Sequence, residues 1–297
     1  MKITIIIFTL SLMYSQTEYP SMNVFFSSNS ISLGGAGFLY PSTISSKINP
    51  ASFNTDRTFT TSIINYKNQI SSQSVGLSIP LENSFISSSL KNISYGDFDE
   101  YDDNKVLIGK YQSSDSWFSV TYSKKIKRFP LKVGISYKYL SLLLADYQIH
   151  EHLFSIGSEL YFKKIKTFLG ISIHQLDFNF TNKYENNFIE PNLVFSFSKI
   201  LEHLPLNIFI DIISNNYKKE IEFFLGGKFY LNKSFSFQIG SSSRKITQKI
   251  NNQFFNTIFG YSGIGIVYYK DSMSFTLGSY MYGSGHIING LQLDIMF

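Results

Sequence analysis

The residues best equipped by type to do chemistry are few and badly spaced for it. His150, Glu151 and His152 stand together. A histidine base needs a carboxylate to orient it and a cleft to face. In an extended chain residues 150 and 152 share one face and residue 151 takes the other, so the three do not converge. His174, His203 and His286 stand apart from these and from one another. Serine is abundant, at 44 residues, yet no Gly-x-Ser-x-Gly elbow occurs. The chain has no cysteine, which excludes thiol catalysis, disulfides and Cys-ligated zinc. The run Asp97-Phe98-Asp99-Glu100-Tyr101-Asp102-Asp103 packs five acids into seven residues. A calcium loop would want D-x-D-x-D-G spacing; Tyr101 stands where the third acid should be and Asp102 where the glycine should be. The expectation is a solvated loop, and a chain without catalysis, cofactor or metal.

A second set of charges falls in another pattern. Lys132, Lys138, Glu159, Asp211, Glu222, Lys228 and Asp294 all sit on the polar parity of alternating stretches. A lysine turned to lipid at mid-membrane costs about 2–4 kcal/mol. In a membrane barrel these side chains must therefore line the lumen, where they pair or tune the polarity of a pore.

The elements that would hold them are strands. Of the 297 residues 43% are hydrophobic, 17% aromatic and only 16% charged. There are 29 Phe and 20 Tyr but only three Ala; alanine is the best helix former, while Phe, Tyr, Ile and Thr suit strands. Apolar Leu131, Val133, Ile135, Tyr137 and Tyr139 alternate with Lys132, Gly134, Ser136 and Lys138. Met273, Phe275 and Leu277 alternate with Ser274, Thr276 and Gly278. The pattern predicts strands over 56–65, 71–80, 84–94, 114–123, 131–144, 151–162, 167–180, 191–200, 206–213, 220–230, 235–242, 254–269, 273–282 and 287–297. Most are about 9–14 residues long, and a tilted strand needs about 9–11 to cross a bilayer. Short connections at 81–83, 163–166, 231–233 and 270–272 alternate with longer polar ones near 95–113, 181–190 and 243–253. One-sided short turns are the pattern of an outer-membrane barrel. In the strand over 167–180 the apolar parity switches between Ile173 and Leu176, which places a bulge near His174 or an exit from the membrane there.

The fold class is therefore all-β: a 14-stranded antiparallel transmembrane β-barrel over residues 56–297. Leu291, Leu293, Ile295 and Phe297 share a face of the last strand, and a terminal aromatic there resembles the C-terminal signal read by bacterial barrel-assembly machinery. Lys2 followed by the apolar stretch Ile3–Met13 and the small Ser15 predicts a signal peptide over 1–16. Residues 17–55 show no sustained strand pattern. They are rich in serine and carry Gly34, Gly35 and Gly37, then Asn49, Pro50 and Ala51. A ring of fourteen strands is too wide for its own side chains to fill, so this segment is expected in the lumen as a plug. The net charge of +5 is mild and scattered, which points away from nucleic acid.

Several stretches together resemble a known family. Leu33-Gly34-Gly35-Ala36-Gly37 followed by Asn49-Pro50-Ala51 resembles the N-terminal region of the PorV/PorQ branch of FadL-like outer-membrane barrels. The stretch Ile93–Asn104, then Ile108–Asp115, resembles a loop of PorQ that runs into its fourth strand. Phe197–Pro205 resembles the PorQ turn between the eighth and ninth strands. The likeness spans residues 25–215, with Ser30-Ile31-Ser32 where the family has Ala-Arg before its glycines. It implies export through a cleaved signal peptide to the bacterial outer membrane. It also implies an accessory, anchoring role in a type IX secretion attachment complex, with PorZ-, PorV- and PorU-like protein partners, outer-membrane lipids around the barrel and no catalysis. The alternative is a FadL-like transporter of hydrophobic small molecules, which would need a continuous apolar pocket in the lumen.

Overall fold

Strands that alternate with period two bury one face, and only if neighbours pair both their edges; closure into a ring removes the last free edge. The computed structural model describes residues 24–45, 47–53, 56–102, 104–144, 147–177, 191–215, 220–247 and 258–297. Its strands are β1 Thr58–Asn65, β2 Ser71–Pro80, β3 Ser84–Tyr101, β4 Leu107–Lys125, β5 Leu131–Leu144, β6 Tyr147–Phe162 and β7 Thr167–Asp177. They continue as β8 Asn192–Ile200, β9 Leu206–Asn215, β10 Glu220–Tyr230, β11 Phe235–Ser242, β12 Ser262–Lys270, β13 Met273–Met281 and β14 Ile287–Met296. Each pairs antiparallel with its sequence neighbours, and β1 closes on β14 with Thr58 opposite Met296 and Asn65 opposite Asn289. The result is a closed fourteen-stranded barrel.

In three places the strands depart from the sequence-based expectation by more than three residues. Most of residues 95–113 is sheet, because polar cross-strand pairs extend the β3–β4 hairpin. Phe98 stacks on Tyr111 at 5.3 Å, Gln112 donates to Asp97 at 2.9 Å, and Lys110 lies 3.9 Å from Asp99. β6 likewise starts four residues early, its outer face paired through Tyr139 and His150. β12 starts late, at Ser262, with residues 258–259 helical and 260–261 a turn before it. The parity switch in β7 is a bulge: Phe154 faces Leu176, Ile156 faces Ile173, and Gln175 adopts φ +63° between them. Residues 178–190 and 248–257, which include most of two expected long loops, lie outside the described residues, as do the expected signal peptide and residues 17–23.

Burial follows the alternation. On β13 Ser274, Thr276 and Gly278 are buried while Met273, Phe275 and Leu277 are exposed. The exposed set continues around the wall through Ile63, Leu77, Leu90, Ile135, Ile156, Ile171, Phe195, Leu225, Ile239, Ile264 and Leu291. Soluble monomers rarely expose apolar patches above roughly 300–600 Å²; a belt that encircles the molecule is made for lipid. Above it, towards the β3–β4 turn, the outer face becomes polar. Asn92 bonds Ser116, Ser241 bonds Ser262 and Ser279 bonds Asn289 at 2.7–3.0 Å.

The described residues 24–45 and 47–53 lie in the lumen. Helix α1, Ser28–Ser32, is a single turn capped by Ser27, whose hydroxyl accepts from Ser30 N–H. It packs against β1 and β11–β14. Each of three apolar clusters includes side chains of this segment. Phe26 joins Ile93, Trp117, Leu140 and Leu153. Ile31 joins Ile64, Tyr280 and Ile288. Leu33, Ala36 and Phe38 join Val194, Phe209 and Phe224.

Candidate functional site: the occupied lumen

The wall makes room for the segment by removing side chains. Inward-facing glycines occur on β2, β5, β6, β7 and β10–β14. A Cβ on Gly134 would strike the Pro50 carbonyl, one on Gly157 the Asn49 side chain, and one on Gly240 the Leu33 carbonyl. Gly263, Gly265 and Gly278 meet Ile31, Ser28 and Ser32 in the same way. Within the segment Gly34, Gly35 and Gly37 all hold positive φ, from +63° to +96°, which glycine adopts without steric cost. The turn they form brings Leu33 and Gly34 against the backbone of Gly240.

Polar anchors fix the register. Asn49 Nδ2 donates to the wall carbonyls of Ser158 (2.9 Å) and Ile171 (3.4 Å), while its Oδ1 accepts from Ala51 N–H at 2.9 Å. Pro50 presents its carbonyl to the Ser123 hydroxyl. Asp211 accepts from the Gly37 and Phe38 amides at 2.7 and 3.3 Å. At the upper end the Tyr66 hydroxyl donates to the Phe25 carbonyl at 3.0 Å and accepts from its N–H at 2.9 Å. Burial raises the Tyr66 pKa well above its ordinary value, so the phenol keeps its proton for that bond.

All seven charges expected in the lumen face it, and the structure gives each a local task. Lys132 pairs with Glu159 at 2.7 Å and lies over the Phe53 ring. Glu222 takes a two-pronged bond from Arg244, both distances 2.8 Å. Lys228 donates to Tyr40 at 2.8 Å and sits within 5.6 Å of the ring centres of Tyr40, Tyr230 and Tyr269. Asp294 accepts from Thr60, Ser274 and Gln292. Lys138 lines a small space with Lys47, Lys91 and His174. Sequence reasoning did not count Lys91, Asp115 and Glu151, all buried, among the lumenal charges, although each lies on the inward parity of a recognised strand. It also read the wall glycines only as the polar half of an alternation; their recurrence on one parity was the signal for a close-packed lumen.

The remaining candidates do not gather. His150 and His152 lie on the outer face, bonded to Tyr139 and Tyr137, while Glu151 is buried inside. Asp102 closes its own turn by accepting from the Asn104 and Val106 amides; Asp103 lies outside the described residues. Among the described residues no three His, Cys, Asp or Glu side chains group as metal ligands would. Phe297 is exposed beyond the end of β14, its amide bonded to the Arg57 carbonyl. Two lumenal spaces, of about 20 and 30 Å³, are lined by described residues. The larger apolar hollow, about 740 Å³, lies against the outward side chains Leu225, Ile239 and Ile264 under Lys245, Ile258 and Phe259.

No protein-family model matches the chain, and no curated relative does. Solved structures do match in fold. The toluene transporter TodX of Pseudomonas putida aligns at TM-score 0.59 and 10% identity, covering 92% of this chain and 98% of that one. A FadL homologue of Pseudomonas aeruginosa aligns at TM-score 0.54 and 9% identity over the same shares. The fold is that of the FadL-like outer-membrane barrels.

Proposed function

We propose that this chain is an outer-membrane barrel held shut by its own N-terminal segment, and that it serves as a membrane-embedded anchor for protein partners. The observation that carries this is the fit of residues 24–45 and 47–53 into a glycine-lined wall; the lumenal spaces lined by described residues beside it are of about 20 and 30 Å³. A barrel so filled offers its protruding strands, β3–β6 above all, as its working surface. The resemblance of Leu33–Gly37, Ile93–Asp115 and Phe197–Pro205 to PorQ supports a finer reading: an accessory component of a type IX attachment complex with PorZ-, PorV- and PorU-like partners.

A second reading is passage of hydrophobic small molecules, and the comparisons favour it, since TodX is a toluene transporter with this fold. It requires the segment to yield a path, because the large apolar hollow lies on the outer face rather than in the lumen. One experiment separates the two. Tagged protein is solubilised from its native outer membrane with mild detergent and whatever copurifies is identified, while a deletion strain is assayed for uptake of toluene and oleate. Stoichiometric surface-protein partners with unchanged uptake support the anchor. Lost uptake with no partner overturns it in favour of transport.

A further inference from the structure

The outer face of β9–β13 is not an even apolar wall. Gly227 stands opposite Ile208 on one side and Ile239 on the other, and Ser241 stands opposite Ser262. The missing side chain on β10 leaves a slot between two isoleucines, and the serines leave a shallow floor beside it. Leu225, Ile264 and Met281 rise around them, and Lys245, Ile258 and Phe259 overhang the upper edge. Together they enclose the hollow of about 740 Å³. Ligand sites measure about 300–1,000 Å³, so this one has the size for a molecule.

Position and charge say what belongs there. The overhang is part of the β11–β12 connection, at the same end of the barrel as the Asp102 turn. In an outer-membrane barrel the short turns face the periplasm, so this end meets the outer leaflet. The connection carries apolar side chains that water does not suit: Ile246 is 86% exposed, and Ile258 and Phe259 are exposed as well. Below it the walls of the hollow continue the lipid-facing belt through Leu225, Ile239 and Ile264. The upper edge is cationic. Lys245 Nζ donates to the Ile258 carbonyl and, at 3.4 Å, to the Ser262 hydroxyl. Both are neutral oxygens, and an ammonium has three protons to give. The Ser262 hydroxyl is in turn 3.0 Å from that of Ser241. A cation and hydroxyls at the top of an apolar hollow complement a lipid with an anionic head.

We propose that this hollow binds one molecule of lipid A, the phosphate-bearing glycolipid of the outer leaflet, with an acyl chain in the slot at Gly227 and a phosphate on Lys245. Elsewhere on the belt the outward side chains stand level, and lipid covers them without a preferred place. Here the slot gives a chain depth and the ammonium gives its head a partner. A hydrogen bond between two charged groups is roughly twice as strong as a neutral one, and this one forms at the edge of a phase that excludes water. The site lies on the lipid side of the wall, so it stands whether the barrel anchors partners or passes small molecules.

Native mass spectrometry reads such binding directly. The protein purified from outer membranes is delipidated in mild detergent and titrated with diphosphoryl lipid A. The expected result is one bound lipid A that saturates before a second adduct appears. Lys245→Gln should weaken this first binding at least fivefold, and Lys245→Arg should keep it. Ile264→Trp, which puts bulk into the hollow, should abolish it, while Ile156→Trp, on the same belt at β6, should leave it unchanged. Lys245 lies off the barrel wall, so its variants test the site even if Ile264→Trp fails to assemble. Heat-modifiable migration on gels checks that each barrel is intact. Adducts that accumulate without a distinct first step, or a first step that neither Lys245→Gln nor Ile264→Trp changes, overturn the proposal. So does equal binding of dioleoylglycerol, which has no phosphate, or tighter binding of dioleoylphosphatidylglycerol, which would give the site to a phospholipid. Displacement of lipid A by equimolar oleate overturns it too, since the hollow would then belong to a fatty-acid cargo.

Discussion

Glu159 is 2% exposed, and its carboxylate meets a lysine that keeps some contact with solvent (side-chain exposure 22%). Breaking a fully buried pair from one side costs about 3–5 kcal/mol, because the other charge stays buried and alone. The partial exposure of Lys132 discounts this, so Glu159→Gln should lose about 2–3 kcal/mol in urea unfolding of the micelle-bound barrel. Replacing both partners, Lys132→Met with Glu159→Leu, should return most of that loss, since an apolar pair owes no desolvation. If the single and double variants unfold alike, the pair is not what stabilises that corner. Six of the seven lumenal charges are engaged locally, by a countercharge, by amides and hydroxyls or by a ring of phenols.

At the scale of elements, the wall glycines act as one feature spread over nine strands. Gly240→Val or Gly263→Val should push Leu33 or Ile31 off the wall and evict the segment while leaving the strand ladder paired. Gly227 sits on the outward parity of β10, where an added Cβ would meet only ordinary contacts at 3.4 Å or more, and Gly227→Val is the matched control. Limited proteolysis should cut within residues 24–53 several-fold faster in the inward variants and at the wild-type rate in the control. Equal rates would show that the glycines are incidental. The hairpin ends carry a second prediction. The turn at Asp102 and the turn at Lys164 lie at opposite ends of the barrel, and Lys164 shares its end with the start of β1 and the end of β14. In an outer-membrane setting, short turns face the periplasm. An epitope inserted at Asp102 should therefore be labelled on intact cells and one at Lys164 only after lysis. Labelling in the reverse order would invert the orientation.

For the molecule as a whole, closure is the property at stake. A fourteen-stranded ring without its segment would hold water. Purified intact protein should show little conductance in planar bilayers. Deletion of residues 25–48 should open a larger and steadier conductance with the β-sheet circular dichroism nearly unchanged, since no strand is lost. An intact protein that already conducts like an open porin, unchanged by the deletion, would mean that the segment does not seal the lumen.

By itself the sequence determined the architecture and its inside and outside. Period two and strand length are local, and the strands over 71–80, 131–144, 220–230 and 235–242 emerge with the expected limits. The inward parity of Asp211, Glu222, Lys228 and Asp294 followed from the same count. Even the irregularity at His174 was visible as a switch of parity. The extension of β3 and β4 through the acidic run was not, because its stability lies in cross-strand pairs such as Phe98 with Tyr111, and partners across a hairpin are set by register rather than by neighbouring residues. Nor could the chain alone show that Lys47, Lys91, Lys138 and His174 meet around one small space. They come from the lumenal segment and three different strands, separated by up to 127 positions, and only the closed ring brings them around one space. The glycine lining is of the same kind. Each glycine reads locally as a small polar-face residue, and it becomes a contact surface only when a segment from the far end of the chain is packed against all of them at once.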